Sequence, residues 1–145
     1  MTQLGQVHSD VCGLMETMSL GGKHYFCTMV DDKTGYIWFH PCRSKSDFTH
    51  WFIEMDRLFA NHYRMQVKTL QLDQGGEYVN ATLEMYCSEN GIKIELTVPH
   101  TPEQNGVAER ANWKILEKGR TIIKDSNAPN FLWADAFTTV VYAIN

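Results

Sequence analysis

The chain has 145 residues and a mass of 16.7 kDa, which suits one compact domain rather than two. Hydrophobic residues make up 43% of the sequence, enough for a substantial core, so an intrinsically disordered protein is excluded. The 13 basic and 17 acidic residues give a net charge of −4, which argues against a domain that binds nucleic acid through its overall charge but leaves room for a local basic patch.

The first third of the chain predicts an antiparallel meander of three strands. Residues 7–12 alternate between two faces, and Asp10 lies inside this strand, where acidic residues are disfavoured. Apolar and aromatic runs over residues 25–30 and 36–39 predict the next two strands, and residues 31–35 predict the turn between them. Connections this short join antiparallel neighbours.

The middle of the chain predicts a helix followed by a fourth strand. Apolar residues recur at three- and four-residue steps over residues 48–62, as they do on one face of a helix. Ser44 with Asp47 predicts a capping box at the start of this helix. Residues 67–72 then alternate as a strand, which places Asp73 at its carboxyl end.

The last part of the chain predicts a helix, a strand and two further helices. A short helix is expected around residues 83–87 and a fifth strand over residues 92–96. A long helix is expected from about residue 104 to residue 124, and an apolar helix over residues 131–144. The order β-β-β-α-β-α-β-α-α predicts an α/β fold whose mixed five-stranded sheet combines the meander with two parallel strands and carries helices on both faces.

Three acidic residues stand out as candidates for one site. If the fourth strand joins the sheet beside the first, Asp73 comes next to Asp10, and Glu109 lies in the first turns of the long helix. Two carboxylates about 4 Å apart repel by roughly 4 kcal/mol at an effective dielectric near 20, so a fold that converges three of them favours Mg²⁺ or Mn²⁺ between them. Spacing alone also allows three ordinary roles: a strand-edge residue, a turn former and an acid at a helix N-terminus.

The residues around these acids carry a resemblance to a known family. They are residues 8–11 (HSDV), 72–78 (LDQGGEY) and 101–110 (TPEQNGVAER). Together these segments closely resemble the integrase catalytic core of copia-type LTR retrotransposons, within the retroviral integrase-like superfamily, and the resemblance extends over nearly the whole chain. It implies an RNase H-like fold in which Asp10, Asp73 and Glu109 match the catalytic DDE triad and the metal ligands, with two Mg²⁺ (or Mn²⁺) ions in the active complex.

The resemblance also implies an activity and its partners. The protein would be a metal-dependent polynucleotidyl transferase and endonuclease that processes the 3′ ends of the element's cDNA and joins them to target DNA. We expect a homo-oligomer, a dimer or higher, that acts in the nucleus after a cytoplasmic virus-like particle stage. Residues 1–145 would form one catalytic core domain, excised from a longer polyprotein, with its last helix cut short at the chain end.

Contacts with DNA are expected near the third acid. By resemblance, four polar residues line the DNA end: His100, Gln104, Asn105 and Asn112. Three basic residues repeat every fourth position on the long helix and form what we term the basic stripe: Arg110, Lys114 and Lys118. The basic stripe suits phosphate contacts, although a solvated helix face explains it equally well.

The cysteines, at positions 12, 27, 42 and 87, show no Cys-x-x-Cys spacing. The absence of this spacing argues against a zinc site. A disulfide framework is not expected in a chain of this size, and cysteines used in this way suit a protein of a reducing compartment. The longest apolar stretches fall far short of the ~20 residues that span a bilayer, so no membrane partner is expected.

Two other functions remain open from the sequence. The chain could be a domesticated integrase core kept as a non-catalytic binding module, or another RNase H-like nuclease that acts on RNA–DNA hybrids or structured DNA. The three acids argue against the first alternative, and the string over residues 105–110 favours integrase over the second.

Overall fold

The computed structural model describes residues 2–73, 79–97 and 106–145, with the backbone alone at Thr2, Gln3 and Asp73. Within these ranges the elements follow the predicted order. They are β1 (Thr2–Cys12), β2 (Tyr25–Asp31), β3 (Ile37–Cys42), α1 (Asp47–His62), β4 (Met65–Asp73), α2 (Ala81–Glu89), β5 (Lys93–Thr97), α3 (Gly106–Ser126) and α4 (Trp133–Ile144), with a 3-10 turn, Asn130–Leu132, before α4.

The strands form one mixed sheet in the order β3-β2-β1-β4-β5. The first three strands pair antiparallel, as the predicted meander requires, while β4 runs parallel to β1 and β5 runs parallel to β4. The prediction that the fourth strand joins the sheet beside the first is therefore confirmed. It makes β1 the central strand, at the point where the chain changes direction across the sheet.

The first strand is longer than the sequence predicts. It begins at Thr2, five residues before Val7, because its early part also pairs with β4. The register shifts on either side of Gly5, whose φ of +75° is easily reached only without a side chain. This irregularity interrupts the period-two pattern, which is why alternation alone located only the second half of the strand.

The sheet separates two hydrophobic cores. Val7 of β1 lies in the core beneath α1 and α2, while Cys12 of β1 packs against the other core, beneath α3 and α4. The alternation predicted for β1 is thus confirmed, and the face that carries Asp10 lies towards α3. Helices cover both faces of the sheet, as expected from the element order.

A side-chain cap is present at the start of α2 and absent at the start of α1. The Asn80 side chain caps α2 by accepting the backbone N–H of Leu83 at 2.9 Å. The capping box predicted at Ser44 is wrong: Ser46 occupies the N-cap of α1 without a side-chain cap bond, and the carboxylate of Asp47 instead accepts the backbone N–H of Arg43. The chain enters this helix through a bend at residues 43–44 and a turn at residues 45–46, which sequence spacing does not reveal.

Two cysteines form one disulfide, although the sequence analysis expected no disulfide framework. Cys27 of β2 and Cys42 of β3 form a disulfide with their Cα atoms 6.7 Å apart. The β2–β3 register pairs Cys27 with His40, so both cysteines point to the same buried face. Burial raises the pKa of the free thiols of Cys12 and Cys87 to about 11, so both stay protonated at neutral pH.

Two tryptophans lie in the core, and a phenylalanine near one of them does not. Trp51 and Trp133 are buried, whereas Phe131 is 41% exposed because it lies in the 3-10 turn rather than in α4. Across the described ranges, no helix is both long enough and apolar enough to cross a membrane.

Candidate active site

The candidate site lies at the carboxyl ends of the parallel strands β1 and β4. His8 pairs with Gln71 across these strands, and Asp10 and Asp73 each lie two residues further along. Their backbone positions are therefore side by side at one edge of the sheet. Ligand sites of open α/β sheets form at such strand ends, beside the strand where the order reverses.

Asp10 is half-buried, and hydrogen bonds from Val11 and Asn112 hold its carboxylate. Oδ1 accepts the backbone N–H of Val11 at 2.9 Å, and Oδ2 accepts Nδ2–H of Asn112 at 3.1 Å. Bonds from an amide donor to an ionised carboxylate are stronger than bonds between neutral groups. The sequence analysis selected Asp10 but did not identify what orients it.

Asn112 connects Asp10 to a second strand. Its side chain is 5% exposed, and its Oδ1 accepts the hydroxyl of Thr28 at 2.6 Å. Thr28 lies on β2 directly across from Asp10 and is fully buried. These three side chains, which we term the Asp10 network, join β1, β2 and α3 in one chain of hydrogen bonds.

Glu109 lies three residues before Asn112, in the first turn of α3, so the two share a face of this helix. Its side chain is exposed, and within the described ranges no ion pair includes it. The helix N-terminus favours an acid there. The fold thus places Glu109 on the helix that packs over β1 and β2, close in sequence to the residue that holds Asp10.

A divalent cation fits the chemistry of these donors. Asp10 and Glu109 offer carboxylate oxygens, the hard ligands that Mg²⁺ and Mn²⁺ prefer. Among the residues whose side chains are described, no group of three or more His, Cys, Asp and Glu side chains is placed to hold a metal. The predicted triad needs the side chain of Asp73, which lies outside that description.

The basic stripe follows Glu109 along α3. Arg110, Lys114 and Lys118 are all exposed, as predicted, and they border a surface cavity of about 500 Å³. Trp113, also in this cavity, is 66% exposed. The ring of Trp113 therefore lies at the surface beside the basic stripe.

The structure describes only one of the four residues that are expected to line a DNA end. His100, Gln104 and Asn105 lie outside the described residues, so their roles stay predictions. Asn112 is described, and its hydrogen bonds join Asp10 and Thr28; a contact with DNA stays a prediction.

A buried histidine near the site was also missed. His8 is 5% exposed, and its Nε2 lies 2.7 Å from Oδ1 of Asp32, in the turn between β2 and β3. This pair ties the turn to the central strand two residues before Asp10. A His followed by a polar residue is too common a pattern to predict such a contact.

Comparisons with known proteins show which family the chain matches. The profile of the family described as integrase core domain matches residues 3–102. The chain is 41% identical over 142 residues to the Retrovirus-related Pol polyprotein from transposon TNT 1-94 of Nicotiana tabacum, covering 98% of this chain and 11% of that protein. It is 36% identical over 142 residues to the corresponding polyprotein from transposon RE2 of Arabidopsis thaliana, covering 98% and 10%.

A more distant relative shows the same similarity. The chain is 31% identical over 139 residues to the Transposon Ty1-DR6 Gag-Pol polyprotein of Saccharomyces cerevisiae, covering 93% of this chain and 8% of that protein. The chain therefore spans about a tenth of the length of the curated relatives it matches.

The fold also matches a solved structure. A chain of the simian T-cell lymphotropic virus intasome in complex with PP2A regulatory subunit B56 gamma aligns with a TM-score of 0.75 and 15% identity. The alignment covers 99% of this chain and 49% of that one. This similarity confirms the predicted RNase H-like α/β fold.

Proposed function

Because the chain belongs to the integrase core domain family, we propose that it is the catalytic core of a retrotransposon integrase. The core would process the 3′ ends of the element's cDNA and then join the new 3′ hydroxyls to target DNA. The observation that carries this proposal is the parallel pairing of β1 with β4, because it brings Asp10 and Asp73 to one sheet edge. Glu109 lies on the helix bound to that edge through Asn112.

In this proposal Asp10, Asp73 and Glu109 hold two Mg²⁺ or Mn²⁺ ions. When bound, the ions supply an activated water or DNA hydroxyl and stabilise charge at the phosphodiester. The chain's own contribution is to keep the Asp10 carboxylate in one orientation through Asn112 and Val11. Because no covalent enzyme intermediate is needed, the site requires no Ser-His or Cys-His pair.

A strand-transfer assay tests the proposal. The purified protein is incubated with oligonucleotides that carry the element ends, a target DNA and Mn²⁺, and joined products are resolved on a gel. We expect joined products with Mn²⁺ and none with EDTA. Cleavage of RNA–DNA hybrids without joining would identify another RNase H-like nuclease, and DNA binding without either reaction would identify a non-catalytic module.

The basic stripe leads to a prediction about DNA affinity. Since the net charge is −4 and the stripe is local, the isolated core is expected to bind DNA weakly and with a strong dependence on salt. The double variant Lys114→Ala plus Lys118→Ala should bind more weakly and reduce the slope of log K against log salt by about 1–2. Fluorescence anisotropy with a labelled element end, at several salt concentrations, measures both quantities.

A matched double variant controls for the lost charge. Lys33→Ala plus Lys68→Ala removes two exposed lysines from the β2–β3 turn and from β4, and it should leave the salt slope as in the unmodified protein. Nanomolar binding at physiological salt that survives removal of Lys114 and Lys118 would contradict a role for the stripe.

Assembly is a further part of the proposal. Integration acts on two DNA ends, so we expect the core to form a dimer or a higher oligomer, and to act in the nucleus after a virus-like particle stage. Multi-angle light scattering over a range of concentrations measures the mass in solution. A mass of 16.7 kDa at every concentration would argue against self-association of the core.

A further inference from the structure

We propose that Asn112 is a positioning residue that fixes the Asp10 carboxylate for metal binding, and that Thr28 fixes the amide of Asn112 in turn. This inference rests on the proposed function, because it concerns the same metal site. It assigns Asn112 a role different from the DNA contact expected from the sequence, and it adds Thr28, which no sequence pattern singled out.

The first observation is the direction of each hydrogen bond. Thr28 donates its hydroxyl to Oδ1 of Asn112 at 2.6 Å, and Asn112 donates Nδ2–H to Oδ2 of Asp10 at 3.1 Å. An asparagine amide offers an acceptor on one side and donors on the other. Flipping the amide would turn its oxygen towards the carboxylate, so the Asp10 network assigns the orientation with the donor facing Asp10.

The second observation is burial. Asn112 is 5% exposed and Thr28 is fully buried, so both ends of the amide are satisfied inside the protein. A buried polar network in which each member is paired has one favoured arrangement. The Asp10 carboxylate, bonded also to the backbone N–H of Val11, is therefore held against rotation about its terminal bond.

The third observation is where the Asp10 network lies. It joins residues 102 positions apart, and it connects the central strand to the helix that carries Glu109. Residues that hydrogen-bond to a metal ligand orient that ligand, and their loss typically costs about 10–100-fold in metal affinity. Asn112 therefore acts on two acids at once: it orients Asp10 directly and anchors the first turns of α3, where Glu109 lies.

Mn²⁺ titrations followed by thermal melting test the inference without relying on activity. Asn112→Leu keeps a similar volume and removes both bonds, and we expect its half-maximal Mn²⁺ concentration to rise by about 10–100-fold. Thr28→Val removes only the hydroxyl that orients the amide, so a smaller rise, about three- to tenfold, is expected. Thr28→Ser keeps the hydroxyl and should have the half-maximal Mn²⁺ concentration of the unmodified protein.

Ser9→Ala is the matched control. Ser9 is fully buried next to Asp10, and its hydroxyl donates to the backbone carbonyl of Thr28 at 2.6 Å. Its loss removes a buried hydrogen bond without touching the carboxylate, so the melting temperature should fall while the Mn²⁺ midpoint stays unchanged.

The outcomes of these titrations distinguish failure of the inference from failure of the proposed function. If the unmodified protein shows no response to Mn²⁺, the proposed metal site fails and the inference fails with it. If the unmodified protein responds, and the Asn112→Leu and Thr28→Val variants have the same half-maximal Mn²⁺ concentration as that protein, only the inference is overturned. Asn112 is then a purely structural residue. If Asn112→Leu does not fold, the comparison of Thr28→Val with Thr28→Ser decides the question.

Discussion

Glu109→Gln is expected to reduce strand transfer by about 10³-fold or more while leaving the metal-free protein about as stable as before. A 10³-fold loss corresponds to about 4 kcal/mol of transition-state stabilisation. The substitution removes one charge with little change in volume. The exposed side chain has no ion pair within the described ranges, so no partner is left unsatisfied.

Two small opposing effects set the stability of the Glu109→Gln variant. Loss of an acid at the N-terminus of α3 costs about 0.3–1 kcal/mol. Relief of repulsion from the other two acids acts in the opposite direction and is reduced by solvent at an exposed position. The two nearly cancel, so we expect the metal-free melting temperature to stay the same or rise slightly.

Thermal melts with and without Mn²⁺, together with the strand-transfer assay, measure these effects. Metal binds the folded site and should stabilise the unmodified protein, and this stabilisation should shrink in Glu109→Gln. Glu117→Gln, at an exposed position on the same helix, is the matched control and should leave joining unchanged. A loss of about 3–5 kcal/mol in the metal-free protein with an unchanged metal response would show that Glu109 is structural.

Gly119→Ala is expected to destabilise the protein by about 1–2 kcal/mol, although alanine is the better helix former. Gly119 is buried in α3, where a Cβ atom would overlap the ring of Phe137 on α4. Alanine gains about 1 kcal/mol in helix propensity, whereas overpacking of a core costs about 1–3 kcal/mol and occasionally more. The overlap outweighs the gain because the ring has no room to move.

The neighbours of Phe137 explain why its ring is held in place. It is fully buried, with ring centroids of Phe26, Trp133 and Phe39 at 5.6, 5.5 and 6.5 Å. A loss of about 1–2 kcal/mol in a chain of this length lowers the melting temperature by about 3–8 °C, which calorimetry detects.

A double-mutant cycle tests the cause of this destabilisation. Phe137→Leu removes the ring that overlaps the new methyl group, so Gly119→Ala should be neutral or stabilising in that background. Glu117→Ala, exposed on the same helix, should change stability by less than about 0.5 kcal/mol. Equal losses from Gly119→Ala in both backgrounds would show that the ring is not the cause.

Local patterns predicted the elements of the fold. Apolar spacing located the helices and strands, although only the second half of β1, because helix and strand periods are properties of short segments. The element order then restricted the possible sheet topologies, and Asp73 comes beside Asp10 in those where the fourth strand joins the first. The acids of the candidate site were named from the motifs around them: Asp10 lies inside a strand, Asp73 ends one, and Glu109 lies in the first turn of a helix.

Contacts between distant segments could not be predicted in this way. Cys27 and Cys42 pair because the β2–β3 register aligns them on one buried face, and register is decided by the whole sheet. Phe131 is exposed because the chain tightens into a 3-10 turn before α4, although a phenylalanine side chain is apolar enough for a core position.

The sequence by itself determined the order of the elements and the α/β class, since these depend on spacing along the chain. The candidate site residues were named from the resemblance of the motifs around them to a known family. Only the tertiary structure decided how the site is held together. The sequence pattern places Asn112 as a polar residue on a helix surface, yet it is buried between Asp10 and Thr28. Its partners lie 102 and 84 positions away, and only the packing of α3 on β1 and β2 brings them within hydrogen-bond distance.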